Sequence, residues 1–289
     1  MKAVNLRWRR PPGELSLPAK SGLYAVLIFL AALFTIPFLW TLSTALKTPE
    51  NVFAFPPQWI PNPAEWGNFV KAWIAQPFTF WVLNTLFVTA LSTIGATLTA
   101  SLVAYGFARF RFRGRNALFI LMLSTMMLPA QVTMIPVFLI WREAGAIDTY
   151  WPLIAPAYFG GGAFFIFLLR QFFLTIPREL DEAAKIDGAG PLRIWWSVLM
   201  PLSKPALATV AVFGLMGNWD EFMAPLIYLN TPEKYTVSIG LRMFQDSMGT
   251  QTELLMAAAL IHAAPMIVLF FLAQRFFVRG IATTGFAGR

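Results

Sequence analysis

DEAAKIDGAGPLRIWWSVLMPL, residues 181–202, is a charged, glycine- and proline-punctuated stretch in a chain that is otherwise strongly apolar. Glu179, Asp181 and Glu182 stand where the N-terminal dipole of a helix favours acids, Pro177 suits a first helical turn, and Gly188 is a natural stop. Leu180, Ala183, Ala184 and Asp187 share one face at spacings of three and four, with Glu182 and Lys185 beside it. The paired alanines keep that face shallow enough for another protein's groove. Beyond Gly188 and Gly190, Pro191 opens a second helical stretch carrying Leu192, Trp195, Trp196 and Leu199, and Pro201 and Pro205 punctuate its end. A disordered connector does not combine helix signals with so many aromatic residues. The segment reads as a rigid polar knob between hydrophobic runs.

Those runs decide the fold class. Hydrophobic residues make up 57% of the 289 and charged residues 12%, a balance that excludes an ordinary water-soluble surface. Six runs are long enough to cross about 30 Å of hydrocarbon as helices: 22–46, 80–104, 117–141, 151–169, 205–229 and 254–277. None shows the strict alternation of a membrane strand, so the expected fold is an all-α membrane protein of six transmembrane helices, with the knob between spans four and five. The expected divisions are an N-terminal segment 1–21, a six-span domain 22–277 whose polar loop covers 175–203, and a tail 278–289.

Basic loops stay in the cytoplasm. With both termini placed there, that side receives seventeen of the 22 Lys and Arg residues, among them Arg7, Arg9 and Arg10, the run from Arg109 to Arg115, and Arg178, Lys185 and Arg193. The other side keeps Lys47, Lys71, Arg142, Lys234 and Arg242. This placement accounts for the net charge of +8 without nucleic acid as a partner. The first run is too long for a signal-peptide core and lacks a small-residue cleavage site, so an uncleaved span is expected. Cysteine is absent, which removes disulfides and thiolate metal sites.

After the first span, proline-rich coil gives way to Trp66, Phe69, Val70 and Trp73 at helical spacing, a stripe suited to the membrane interface. Prolines lie inside every expected span but the second: Pro37, Pro129, Pro136, Pro156, Pro225 and Pro265. Each predicts a kink. Gly160, Gly161 and Gly162 in the fourth span serve either as a hinge or as a site of close helix contact.

The knob carries a family resemblance. Glu182, Ala183, Ala184 and Gly188, followed by Val198, Leu199, Met200 and Pro201, resemble the EAA signature of the permease subunits of binding-protein-dependent ABC importers, with Val and Met as conservative departures. TALKTPENVFAFPPQWIP, NWDEFMAPLIYL and QRFFVRG are similar to the carbohydrate-uptake branch, the maltose permease type. The resemblance implies an inner-membrane subunit that pairs with a related but different permease and seats its coupling helix in a cleft of one of two cytoplasmic ATPase subunits. An external binding protein would deliver the solute, and the ATPases would hold ATP and Mg. The chain itself has no G-x-x-x-x-G-K-[ST] loop, and no cofactor or metal is expected on it. The ATPase-coupling residues implied are Glu182, Ala183, Ala184, Gly188 and Pro201.

Polar groups inside a membrane are functional suspects by default. Asn218, Trp219, Asp220 and Glu221 in the fifth span form the strongest cluster, with Asn84 and Gln131 as further members of a substrate pathway. Carboxylates, amides and aromatic rings suit sugar hydroxyls and ring faces. The acids serve equally well as gate structure or as partners for arginine on the second permease. Lone His262 suits packing or backbone bonding, since its own span supplies no ionisable partner for a proton relay. Translocation of a sugar or oligosaccharide is the function expected, with glycerol 3-phosphate or another polyol as the alternative. Less favoured are an ion-coupled secondary transporter, which needs more mid-membrane charges, and a membrane enzyme, which needs a convergent acid, base or metal site.

Overall fold

A computed structural model describes residues 17–246 and 249–285; Lys2, Arg7, Arg9, Arg10 and Arg289 lie outside them. Helix α1 (Leu17–Ala45) leads through proline-rich coil to α2 (Gly67–Ala75) and the long α3 (Phe78–Arg109). Next come α4 (Arg115–Ser124), α5 (Ala130–Glu143), α6 (Trp151–Ile154) and α7 (Ala163–Thr175). The polar knob consists of α8 (Glu179–Ile186), α9 (Pro191–Ile194), a π-helical turn Trp195–Leu199 and α10 (Met200–Leu202). The chain continues through α11 (Lys204–Trp219), α12 (Met223–Tyr228) and α13 (Val237–Gly240) to α14 (Thr252–Gly285). A two-residue antiparallel pair, β1 (Gln245–Asp246) with β2 (Gly249–Thr250), precedes α14.

Among the described residues four segments are long enough and apolar enough to cross a membrane: Leu17–Ala45, Phe78–Arg109, Trp151–Thr175 and Thr252–Gln274. The third expected span is instead sharply broken, its halves Arg115–Met127 and Ala130–Glu143 meeting at 97°. Pro129 explains the break: it has no N–H to continue the ladder and drives Leu128 into extended backbone, with ψ 119°. A second bend of 84° separates Pro191–Leu202 from Lys204–Trp219, where the knob turns into α11. Pro37 and Pro265, by contrast, sit inside unbroken helices.

The second expected span, which holds no proline, becomes the axis of the fold. At about 1.5 Å per residue the 32 residues of α3 reach roughly 48 Å. Near one end Ala100, Ala104, Tyr105 and Ala108 pack with Ile166, Leu169 and Phe173 of α7 and with Ala206 and Val210 of α11. Near the other, Phe78 and Trp81 pack with Ala72, Val237, Phe244, Leu254, Ala257 and Ala258. Between these cores, small residues let neighbours approach closely. A Cβ on Gly161 would strike the Ala96 carbonyl oxygen, and one on Gly95 would enter the Tyr158 ring. Gly160, Gly161 and Gly162 all have positive φ, so the fourth span is not a continuous helix: a left-handed turn lets α7 start afresh against α3.

α1 stands apart. None of its apolar 18-residue window is buried within the chain, and its contacts are chiefly with α14. Asn68 ties its end to α2 by donating to the carbonyl oxygens of Ala45 (3.0 Å) and Lys47 (2.9 Å). Of the expected interfacial stripe, Trp66, just before α2, and Val70 and Trp73 are exposed, whereas Phe69 is half-buried against the core at that end of α3.

Candidate functional site

The knob is built as its sequence suggests, with one shift: Pro177 precedes α8 rather than occupying its first turn. Glu179, Asp181 and Glu182 fill the first turn, and Gly188, at φ 80°, ends the helix as Ala189 N–H donates to Ala184 O at 2.9 Å. Glu182, Ala183, Gly188 and Pro201 are exposed and Ala184 is half-buried. Around them Leu180, Ile186, Leu192 and Trp196 are also exposed, Ile186 at 87%. Exposed apolar residues grouped on a polar element suit a protein or membrane contact.

The single buried residue of α8 is a charge. Asp181 Oδ2 lies 2.8 Å from Arg109 Nε at the end of α3, with both side chains less than a tenth exposed. Arg109 also donates from Nη2 to Ile176 O (3.0 Å), and Arg178 donates to Ala108 O (3.4 Å). Sequence reasoning assigned Arg109 to membrane orientation and Asp181 to the helix dipole; nothing in a spacing of 72 residues pairs them.

The fifth span opens at its acidic cluster. α11 ends at Trp219, and α12 starts at Met223. Pro225 cannot donate to Glu221 O, and the Ser238 hydroxyl takes that carbonyl at 2.6 Å instead. Glu221 Oε1 accepts from Ala224 N–H (3.0 Å), capping the new helix. Asn218 donates to Gly214 O (2.7 Å) and to Thr93 Oγ1 of α3 (3.5 Å). Trp219 is buried: its Nε1 donates to His262 O (3.0 Å) and its ring stacks on the imidazole at 5.6 Å. His262 Nε2 in turn meets Asp220 Oδ1 at 3.2 Å. The packing role expected of His262 is therefore present, its Nδ1 bonds no backbone group, and an ionisable partner comes from the fifth span. Asp220 and Glu221 are the exposed members of the cluster, whereas the Trp219 ring is already occupied.

The two outlying pathway residues do not join this cluster. Asn84 donates to Glu233 O (2.8 Å) and Tyr235 O (3.0 Å), while Trp81 donates to Pro232 O (2.8 Å), so both fasten the 232–235 loop to α3. Gln131 sits exposed in the first turn of α5, just past the Pro129 break.

The same loop is clasped by Asp148, a residue the sequence did not single out. Its Oδ1 accepts from Asn230 and Thr231 N–H, and its Oδ2 accepts from the Thr231 hydroxyl (2.6 Å) and from Lys234 Nζ (2.8 Å). Lys234 foremost, then Thr231, hold the Asp148 carboxyl far below the usual carboxylate range. A cavity of about 430 Å³ beside the clasp is lined chiefly by Phe87, Leu91, Trp151 and Ile154. Its walls offer a polar solute little, because Asp148 and Lys234 already satisfy each other.

Residues 96–283 match the family described as binding-protein-dependent transport system inner membrane component. The chain is 34% identical over 280 residues to a probable ABC transporter permease protein, YurM, of Bacillus subtilis (strain 168), covering 96% of this chain and 89% of that one. It is 32% identical to the galactooligosaccharides transport system permease protein GanQ of the same organism (92% and 94% covered). It is 34% identical to the sn-glycerol-3-phosphate transport system permease protein UgpE of Yersinia pestis bv. Antiqua (strain Antiqua) (89% and 94% covered). In fold it is similar to a chain of a bacterial ABC transporter involved in the import of the acidic polysaccharide alginate, at TM-score 0.79 and 24% identity, covering 91% of this chain and 99% of that one.

Proposed function

The chain belongs to the binding-protein-dependent transport system inner membrane component family, and from that premise we propose that it passes a neutral sugar or oligosaccharide through a bundle of six crossings. In this reading Arg115–Met127 with Ala130–Glu143 makes one crossing and α11 with α12 another, both termini are cytoplasmic, and the knob is the coupling foot seated on an ATPase. The foot carries the reading. A capped helix with exposed Glu182, Ala183 and Gly188, ringed by exposed Leu180, Ile186 and Leu192, calls for a protein partner that water cannot replace. Arg109, Arg178, Lys185 and Arg193 stand at this end, which favours the cytoplasmic side.

The chain supplies a path and a lever, while two ATPase subunits bind ATP and Mg and do the hydrolysis. A second permease covers the exposed α1, α4 and α5 faces, and an external binding protein delivers solute. The break at Asp220–Phe222 leaves two exposed carboxylates, each with one oxygen engaged, by His262 and by Ala224 N–H, a setting that can still accept hydroxyl hydrogen bonds and repels an anion. Relatives named for galactooligosaccharides and for sn-glycerol 3-phosphate are about equally similar, and the acidic break favours the neutral solute over the phosphate ester.

The test uses vesicles containing the whole transporter with its binding protein. Glu182→Ala together with Gly188→Val, the latter forcing a side chain to φ 80°, lowers ATP-driven uptake by about tenfold or more. Normal uptake by that double variant, or a preference for glycerol 3-phosphate over a galactooligosaccharide, sinks the corresponding half of the reading.

A further inference from the structure

A buried ion pair is a poor way to stabilise a fold, because removing two charges from water costs about as much as their attraction returns. Arg109 and Asp181 are nonetheless the attachment between α3 and α8, and Asp181 is the only buried residue α8 has. The pair is also incompletely satisfied: Arg109 Nε and Asp181 Oδ1 are both buried without a hydrogen-bond partner, so the 2.8 Å contact is a close ion pair and not an aligned hydrogen bond. An apolar contact of the same size would hold the foot more cheaply. What an ion pair supplies, and an apolar contact lacks, is attraction between two fixed charges that opposes their separation in a low-dielectric site.

The far side of that link is α3, the most deeply buried of the four long apolar segments. α3 has no proline, is packed at both ends, and meets the acidic break midway through Thr93, which touches Gly214 and accepts from Asn218. Beyond the break, Trp81 and Asn84 hold the 232–235 loop. One rod thus joins the foot to the opened fifth span.

We propose that Arg109 and Asp181 are positioning residues that transmit movement of the foot into α3, and through α3 to the break at Asp220. This rests on the coupling-foot reading above, and the test separates the two. Ile186→Cys, the sole cysteine in a chain that has none, reports foot seating by cross-linking to the ATPase in the assembled transporter. Asp181→Asn breaks the pair, while Arg109→Met with Asp181→Leu removes both charges and keeps the site filled, guarding against a simple loss of folding. With seating intact, both variants should lower uptake per ATP hydrolysed by about tenfold, and Asp181→Glu should recover part of it. Cross-linking together with wild-type uptake per ATP in the apolar double variant overturns the proposal and leaves the foot reading standing. Loss of cross-linking in both variants also overturns it, because the pair would then serve seating rather than transmission. Absence of cross-linking in the otherwise native chain overturns the foot reading itself.

Discussion

Asp148 has a φ of 59°, a left-handed conformation that Asp tolerates better than most residues, and four donors converge on its two oxygens. Asp148→Ala would strand two backbone N–H groups and the Thr231 hydroxyl and leave the Lys234 ammonium only the carbonyl oxygen of residue 148, at a cost of about 1–3 kcal/mol, whereas Asp148→Asn should cost less because the amide oxygen still accepts. Thermal unfolding in detergent measures the difference. The pH dependence has a definite sign. The folded carboxyl titrates below the unfolded one, so the clasp contributes fully above the unfolded value of about 3.9 and is lost only as pH falls through the lower folded value. Between pH 7 and 5 the gap in unfolding midpoint between wild type and Asp148→Ala should therefore stay constant, and it should narrow under strong acid. A gap that closes by pH 5 would show that Lys234 does not hold the carboxylate charged.

At the level of elements, proline position separates the continuous spans from the broken ones only in part. Pro129 and Pro225 sit at breaks, while Pro37 and Pro265 do not, because whether a freed carbonyl finds another donor depends on neighbours; for Glu221 that neighbour is Ser238. The glycine turn before α7 allows a sharper test. Gly161 and Gly162 both have positive φ, yet only at Gly161 would a Cβ strike backbone, the Ala96 carbonyl. Gly162→Ala should cost about 1 kcal/mol from conformation alone, and Gly161→Ala about 2 kcal/mol or more as α7 is pushed from α3. Equal unfolding midpoints for the two variants would mean that α3 and α7 yield freely.

For the whole molecule, exposed apolar helices set the solvent. α1 buries none of its apolar window within the chain and α4 buries no residue at all, so lipid or a second subunit must cover them. The absence of cysteine makes the predicted sidedness directly testable. Ala64→Cys, on the coil before α2, should react with a membrane-impermeant maleimide from outside sealed cells, and Ile186→Cys only after the membrane is opened. Labelling of both from one side would overturn the proposed topology.

The helical membrane class, the positions of the hydrophobic runs and the capped α8 with its Gly188 stop were all legible in the sequence, because hydropathy, dipole preference and positive φ act within a few residues of one another. The 97° break was foreshadowed by Pro129 but not its size. What only the tertiary structure decided are the pairings over long separations: Arg109 with Asp181, Asp148 with Lys234, and Trp219 and Asp220 with His262. In an apolar medium a polar group must find a partner wherever the packed helices place one, and that placement comes from the shape of the assembled bundle rather than from any local pattern.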